Sequence, residues 1–184
     1  VTVGRLVPVK HFDKMIRAVA EVRETVPDAT LTIVGEGFER PELDELVRDL
    51  DAADWVTFAG RVDDDGLVEL YRRAWVLASA SSHEGWGMTI TEAAACGTPA
   101  VVTRIGGHVD EVVEGSSGLL SEEPEDLGRL LTDVLADTTL RERLSQGALD
   151  RAAQLTWDHT ARGALEALVL DARRPRLLGP RLAS

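Results

Sequence analysis

The chain has one cysteine, two methionines, one tyrosine and three phenylalanines in 184 residues. A single cysteine forbids an intramolecular disulfide, so the fold must hold without covalent cross-links. Cys96, between Ala95 and Gly97 in an apolar helical pattern, reads as packing rather than as a reactive thiol. The redox compartment stays open, with the cytoplasm as its default. No apolar run approaches the roughly 18–20 residues that a membrane-spanning helix needs. Lysine is scarce: Lys10 and Lys14 are the only two, the other basic residues are arginines, and the formal net charge is -12. Nucleic acid and anionic membrane surfaces both demand a basic face, so this balance argues against either as a partner. There is no initiator methionine and no signal peptide, and the chain opens inside a strand pattern, as expected of a piece of something longer. No low-complexity segment divides it, and 44% hydrophobic content suits one ordinary domain with a sizeable core.

What is present is an alternation of strand and helix. Apolar, β-branched runs predict strands over 1–5, 30–34, 55–59, 76–78, 100–102 and 118–120. Helical spacing predicts helices over 11–26, 41–50 and 65–74, one after Gly87, a short one near 110–113, and three more over 124–136, 140–153 and 158–170. The strands are near-continuous apolar runs, which is the pattern of a parallel sheet covered on both faces. The expected fold class is therefore α/β, a doubly wound, Rossmann-like parallel sheet, and such sheets bind ligands at the carboxyl ends of their strands. The loops there, 4–11, 35–38, 60–65, 79–88 and 103–110, carry Arg5, Lys10, Arg61, Glu84, Arg104 and His108. Cations gathered on one rim of an acidic protein imply an anionic ligand.

Residues 81–102, SSHEGWGMTITEAAACGTPAVV, form the most informative stretch. A glycine turn that opens a helix presents backbone N–H groups at the positive end of the helix dipole, which suits a phosphate. Glu84 and Glu92 flank that turn with seven residues between them. The blocks VGRL with a lysine five residues after the arginine, IVGEG, FAG, SxxEGWG, EAAACGTPAVV and GGHVDEVV follow one another along the chain. In this order and spacing they resemble the C-terminal, donor-binding half of a retaining glycosyltransferase of family 4 (glycosyl transferases group 1) with the GT-B fold. The resemblance covers about residues 1–170 and implies a partner N-terminal, acceptor-binding domain that this chain does not contain. It also implies a nucleoside diphosphate sugar as donor substrate, with no cofactor and no metal.

Carried over position by position, the resemblance makes Arg5 and Lys10 the basic pair that holds the donor diphosphate. Their chemistry fits, since a guanidinium forks onto phosphate oxygens and an ammonium adds a point charge. Glu84 would face the transferred sugar and Glu92 would accept from the ribose hydroxyls, a task for an acceptor-only carboxylate. Together Arg5, Lys10 and Glu84 form the expected catalytic group. Gly4, Gly35 and Gly37 would bring backbone close to the donor, Arg61 and Val62 would lie beside the nucleobase, and Trp86, Gly87, Met88 and Thr89 would offer N–H groups to sugar and phosphate. The family carries glycine after the lysine, where this chain has His11, and more often phenylalanine at Trp86, whose larger ring either walls the pocket or packs in the core.

Other patterns have plainer readings. Gly35-x-Gly37 lacks the third glycine of a dinucleotide fingerprint, since position 40 is Arg. Asp63-Asp64-Asp65 looks like a metal-binding D-x-D but reads as a helix cap. His11, His83, His108 and His159 form no zinc-like spacing. Gly106, Gly107 and Glu111 match the family's GGxxE loop near the sugar, although the acid equally fits a short surface helix. Thr156-Trp157-Asp158 reads as the capped start of a late helix with Trp157 packed. Residues 1–172 are expected to form the nucleotide-sugar binding domain and 173–184 a tail or linker. The resulting expectation is hexosyl transfer from a nucleoside diphosphate sugar. A non-catalytic nucleotide-sugar binding module and, more remotely, a sugar-nucleotide epimerase are the alternatives.

Overall fold

Six short strands and eight α-helices alternate along residues 1–173, which are the residues that the computed structural model describes. The chain divides into two units, Val1–Ala152 and Ala153–Ser184. In the first, β1 (Thr2–Val3) pairs in parallel with β2 (Leu31–Val34), and β2 with β3 (Val56–Gly60). Likewise β4 (Leu77–Ser79) pairs in parallel with β5 (Ala100–Thr103), and β5 with β6 (Gly118–Ser121). Val1 joins these two three-stranded sets: its nitrogen donates to the Val76 carbonyl and its carbonyl accepts from the Ala78 N–H, each at 2.9 Å. The strands therefore run β3-β2-β1-β4-β5-β6, the doubly wound order, and the direction of winding reverses between β1 and β4.

Helices α1 (Phe12–Val22), α2 (Arg40–Asp49), α3 (Asp64–Arg73), α4 (Met88–Ala95), α5 (Gly106–Val109), α6 (Leu127–Ala136) and α7 (Thr138–Ala152) complete the first unit. Their apolar stripes explain their place. In α1 the residues at helical spacing, Phe12, Met15, Ile16, Val19 and Val22, are all buried. In the strands both faces are covered, so Leu31, Ile33, Val101 and Val102 are all buried, with the half-buried Thr32 the one polar residue inside β2. Asp63 caps α3 as its sequence implies, its Oδ1 accepting from the Gly66 N–H at 2.9 Å.

Two boundaries depart from the sequence expectation for identifiable reasons. Helix α1 stops at Val22 instead of running to residue 26, because Pro27 disfavours helical backbone at Val26, whose N–H closes a turn onto the Val22 carbonyl at 2.8 Å. The short helix expected near 110–113 lies earlier, at Gly106–Val109. It starts on a glycine pair that propensity alone marks as a break. The second unit contains α8 (Trp157–Arg173), capped by Thr156 Oγ1, which accepts from the His159 N–H at 3.2 Å. Trp157 is 89% exposed rather than packed. Of the tail expected over 173–184, Arg173 ends α8 and the rest lies outside the described residues.

His11 follows a 3-10 turn (Pro8–Lys10) and stands in the left-handed region at φ 49 and ψ 49, before α1 begins. This conformation costs an L-residue roughly 1–2 kcal/mol, a cost that glycine does not carry. His11→Gly should raise stability by roughly 0.5–1 kcal/mol, after allowance for the entropy that glycine gains when unfolded. A urea titration checks this, and an unchanged or lower midpoint contradicts it.

Candidate functional site

The reversal between β1 and β4 brings together loops far apart in sequence. The loop after β1 and the loop after β4 are hydrogen-bonded to each other, Ser82 N–H donating to the Val9 carbonyl at 2.9 Å. On this seam Lys10 Nζ donates to Glu84 Oε1 in an ion pair. Its members are largely shielded, with side-chain exposures of 21% and 18%. Ser81 Oγ donates to the same carboxylate oxygen at 2.8 Å. Ser81 is itself buried and fixed, since its carbonyl accepts from Thr103 Oγ1 at 2.5 Å. Burial alone would raise the Glu84 carboxyl, but the hydrogen bonds from Lys10 and Ser81 and the lysine charge outweigh it, so the group is held below the usual carboxylate range.

The loop after β5 closes the third side. The Gly87 N–H donates to the Gly107 carbonyl at 3.2 Å. A Cβ on Gly107 would stand 2.9 Å from the Glu84 carbonyl oxygen, so only glycine lets this loop lie against Glu84. His108 is 1% exposed and belongs to the interior rather than to the rim where the sequence reading set it. Its Nδ1 donates to the Thr103 carbonyl at 2.7 Å. Burial lowers its pKa, and the Thr103 carbonyl and Glu84 only partly offset that.

Helix α4 opens beside this cluster. Trp86 is 57% exposed, so core packing is not its role, and Met88 is exposed too. Of the N–H groups expected to face a ligand, that of Gly87 is used on Gly107 and that of Met88 on the Trp86 carbonyl at 2.8 Å. Position two of the helix leaves the Thr89 N–H without an intrahelical partner. Glu92 is half-buried as its neighbours implied, and Tyr71 OH donates to its Oε2 at 3.0 Å. Burial and the Glu92 charge raise the pKa of the Tyr71 phenol, so it remains a donor. Glu111 is 2% exposed, which settles its place as buried rather than on a surface helix. Its Oε2 accepts from Thr91 Oγ1 at 2.8 Å, which ties α4 to the segment after α5.

The remaining expected residues share the edge without joining the cluster. Arg5 and Arg61 are exposed and make no ion pair among the described residues, and Val62 is half-buried in the loop before α3. Gly4 lies under the Lys10 stem, where a Cβ would meet Lys10 Cε at 3.4 Å. Gly35, at φ 131, and Gly37 are explained by their neighbours, since a Cβ would fall 1.9 Å from the Gly4 carbonyl oxygen and 2.1 Å from that of Leu6. Arg104 is committed to Glu114 and Glu122. Sequence reasoning missed Ser81, Tyr71 and Thr91 because a lone hydroxyl carries no spacing signal. The Lys10–Glu84 pair had a signal of sorts, two opposite charges on loops assigned to one rim.

Among the described residues no group of His, Cys, Asp or Glu is placed to hold a metal ion, and no helix is long and apolar enough to cross a membrane. A cavity of about 560 Å³ opens at the amino ends of the strands, lined by Val1, Thr30, Leu31, Trp75 and Val76 among others, and it contains none of the expected site residues.

Comparison with known proteins gives a consistent result. Residues 1–151 match the family Glycosyl transferases group 1. A D-inositol 3-phosphate glycosyltransferase of Stackebrandtia nassauensis is 38% identical over 189 residues, which covers 97% of this chain and 42% of the relative. Another from Salinispora arenicola is 40% identical over 89% of this chain and 39% of its own length. The chain thus spans about two fifths of these relatives. The pneumococcal O-GlcNAc transferase GtfA, solved with UDP and GlcNAc, superposes with a TM-score of 0.81 at 22% identity, over 94% of this chain and 35% of that one, which shows the fold.

The buried histidine has a thermodynamic consequence. Unfolding lets His108 take up a proton near its ordinary 6.5, which the folded state resists, so its contribution to stability is complete above that pH and falls as the pH drops below it. Glu84 acts lower, its contribution being lost only as the pH falls below about 4.5 toward its depressed folded value. Urea midpoints measured from about pH 7 to 5 should decline, and His108→Asn, which keeps a donor for Thr103, should flatten that decline. Equal slopes in both proteins would remove His108 as the cause.

Proposed function

Because the chain belongs to the glycosyl transferases group 1 family, we propose that it is the donor-binding, C-terminal half of a family 4 GT-B enzyme that transfers a hexosyl group from a nucleoside diphosphate sugar. The observation that carries the reading is the meeting of Lys10, Glu84 and the start of α4 at the point where the sheet reverses. This is the crevice in which doubly wound folds bind nucleotides. Arg5 and Lys10 neutralise the diphosphate, and as the sugar–phosphate bond breaks they stabilise the charge that develops on the leaving group. Glu84 presents a carboxylate to the sugar, and Glu92, oriented by Tyr71, accepts from the ribose hydroxyls. Transfer proceeds with retention on the face from which the leaving group departs, without a protein nucleophile and without a metal, because the cations already supply the electrostatic stabilisation. The UDP in the GtfA structure and the glycosyltransferase names of the relatives support a nucleotide-sugar donor. The acceptor site belongs to a partner N-terminal domain.

Calorimetry of the chain with UDP, GDP and their sugars tests the site. Binding is expected in the micromolar to millimolar range. Arg5→Ala and Glu92→Ala should each weaken it by roughly 10- to 100-fold, the worth of a charge-assisted hydrogen bond. Absence of binding at millimolar nucleotide, or indifference to both substitutions, defeats the assignment. Separately, the chain by itself should turn over no donor into transfer product, since the two substrates are not held together. Sustained transfer to a small acceptor would show that the acceptor domain is dispensable.

A further inference from the structure

The residue assigned to the diphosphate and the residue assigned to the sugar are bound to each other. Lys10 Nζ donates to Glu84 Oε1, and Ser81 Oγ donates to that same oxygen at 2.8 Å. The carboxylate cannot swing away, because Ser81 is buried and pinned by Thr103, and the backbone of Glu84 lies against Gly107. Glu84 Oε2 has no hydrogen bond among the described residues, so it is the oxygen left for a ligand hydroxyl. His108, whose charge could otherwise offset the carboxylate, is held neutral in the interior, and Arg104 is committed to Glu114 and Glu122. Among the described residues Lys10 is thus the one cation in contact with Glu84, and an incoming phosphate must share it with a carboxylate that stays in place.

We propose that Glu84 sets the preference of the site for a sugar-bearing diphosphate over the bare nucleoside diphosphate, by competing with the terminal phosphate for Lys10. The proposal rests on the donor reading above and goes beyond it. In a nucleoside diphosphate sugar the distal phosphate is a diester with one negative charge, and the sugar hydroxyls can donate to Glu84 Oε2. After transfer the terminal phosphate is free and carries close to two charges at neutral pH, since its second pKa is about 6. It then faces the same fixed carboxylate with no hydroxyl between them. The carboxylate therefore attracts the donor and repels the product, so the pair acts as a release device.

The test compares affinities for UDP with UDP-glucose, and for GDP with GDP-mannose, by calorimetry in the wild-type chain, in Glu84→Gln, in Lys10→Gln and in the double variant. Glu84→Gln should bind the bare diphosphate roughly tenfold tighter, the size expected for removing one charge at a partly shielded site. It should bind the sugar-bearing form no tighter, so the ratio of the two dissociation constants moves toward the bare form. The gain should be smaller in the Lys10→Gln background, where the share that comes from competition for Lys10 is lost, and should shrink with added salt. A merely structural role for Glu84 would weaken both ligands alike and leave the ratio where it was. If the wild-type chain binds no nucleotide, the donor reading fails and takes this inference with it. If the wild-type chain binds but Glu84→Gln gains nothing for the bare diphosphate, the inference alone is overturned. Should Glu84→Gln lose its fold by circular dichroism, Ser81→Ala, which loosens the carboxylate without removing it, must move the ratio in the same direction, and an unmoved ratio overturns the inference.

Discussion

The ion pair between Lys10 and Glu84 joins two loops that are 74 residues apart in sequence, and it forms only because the sheet reverses its winding between β1 and β4. Had β4 been added next to β3, these loops would sit at opposite ends of the sheet. The ladder that fixes the reversal is short, Val1 against Val76 and Ala78, and the loop contact from Ser82 to Val9 extends it. A pair shielded to this degree pays a desolvation cost that its attraction only partly repays. Its presence beside a serine that adds a second hydrogen bond to the carboxylate is better explained by what the charges do to a ligand than by what they add to stability.

The other condition for the site is that backbones approach backbones. The loop after β2 lies against the loop after β1 at Gly35 and Gly37, where any side chain would overlap a carbonyl. Leu6 N–H then donates to the Glu36 carbonyl at 2.9 Å, and the Glu39 N–H donates back to the Leu6 carbonyl at 3.2 Å. This brace holds the segment that carries Lys10. Glycines placed at a ligand rim by their spacing therefore do their first work on the protein itself, and the pocket shape follows from that packing. His11 shows the opposite compromise, a side chain kept in a left-handed turn directly after the lysine it positions.

Elements that depend on local pattern were legible in the sequence. Continuous apolar runs placed the strands and period-3.6 patterning most helices, and the Asp63 and Thr156 caps follow from one residue type before a helix. The rule that loops at strand carboxyl ends share one rim also put Lys10 and Glu84 together, where they pair. Features set by tertiary contact were not legible. The Gly106–Val109 helix starts where propensity predicts a break, because Gly107 must clear Glu84. Loop position puts His108 on the rim and leaves Glu111 either near the sugar or on a short surface helix, yet both are buried, where Thr103 and Thr91 satisfy one atom of each. Tyr71, on α3, meets Glu92 on α4 through packing that no spacing along the chain encodes.

The acidic composition sharpens the meaning of the rim. Three arginines outside it are paired locally among the described residues, Arg40 with Asp44, Arg72 with Glu69 and Arg129 with Asp133, so their charges do not reach far. On the rim Arg104 is neutralised as well, by Glu114 and Glu122. Arg5 remains exposed with no carboxylate partner among the described residues, while Lys10 is shielded and paired. The two cations are thus unequal: one is open to an approaching anion over the distance that salt permits, and the other must exchange a partner at contact. An arrangement meant only for tight diphosphate binding would leave both open. Holding one of them on Glu84 ties binding strength to what else the ligand offers the carboxylate, and that is a condition a sugar hydroxyl meets and a bare phosphate does not.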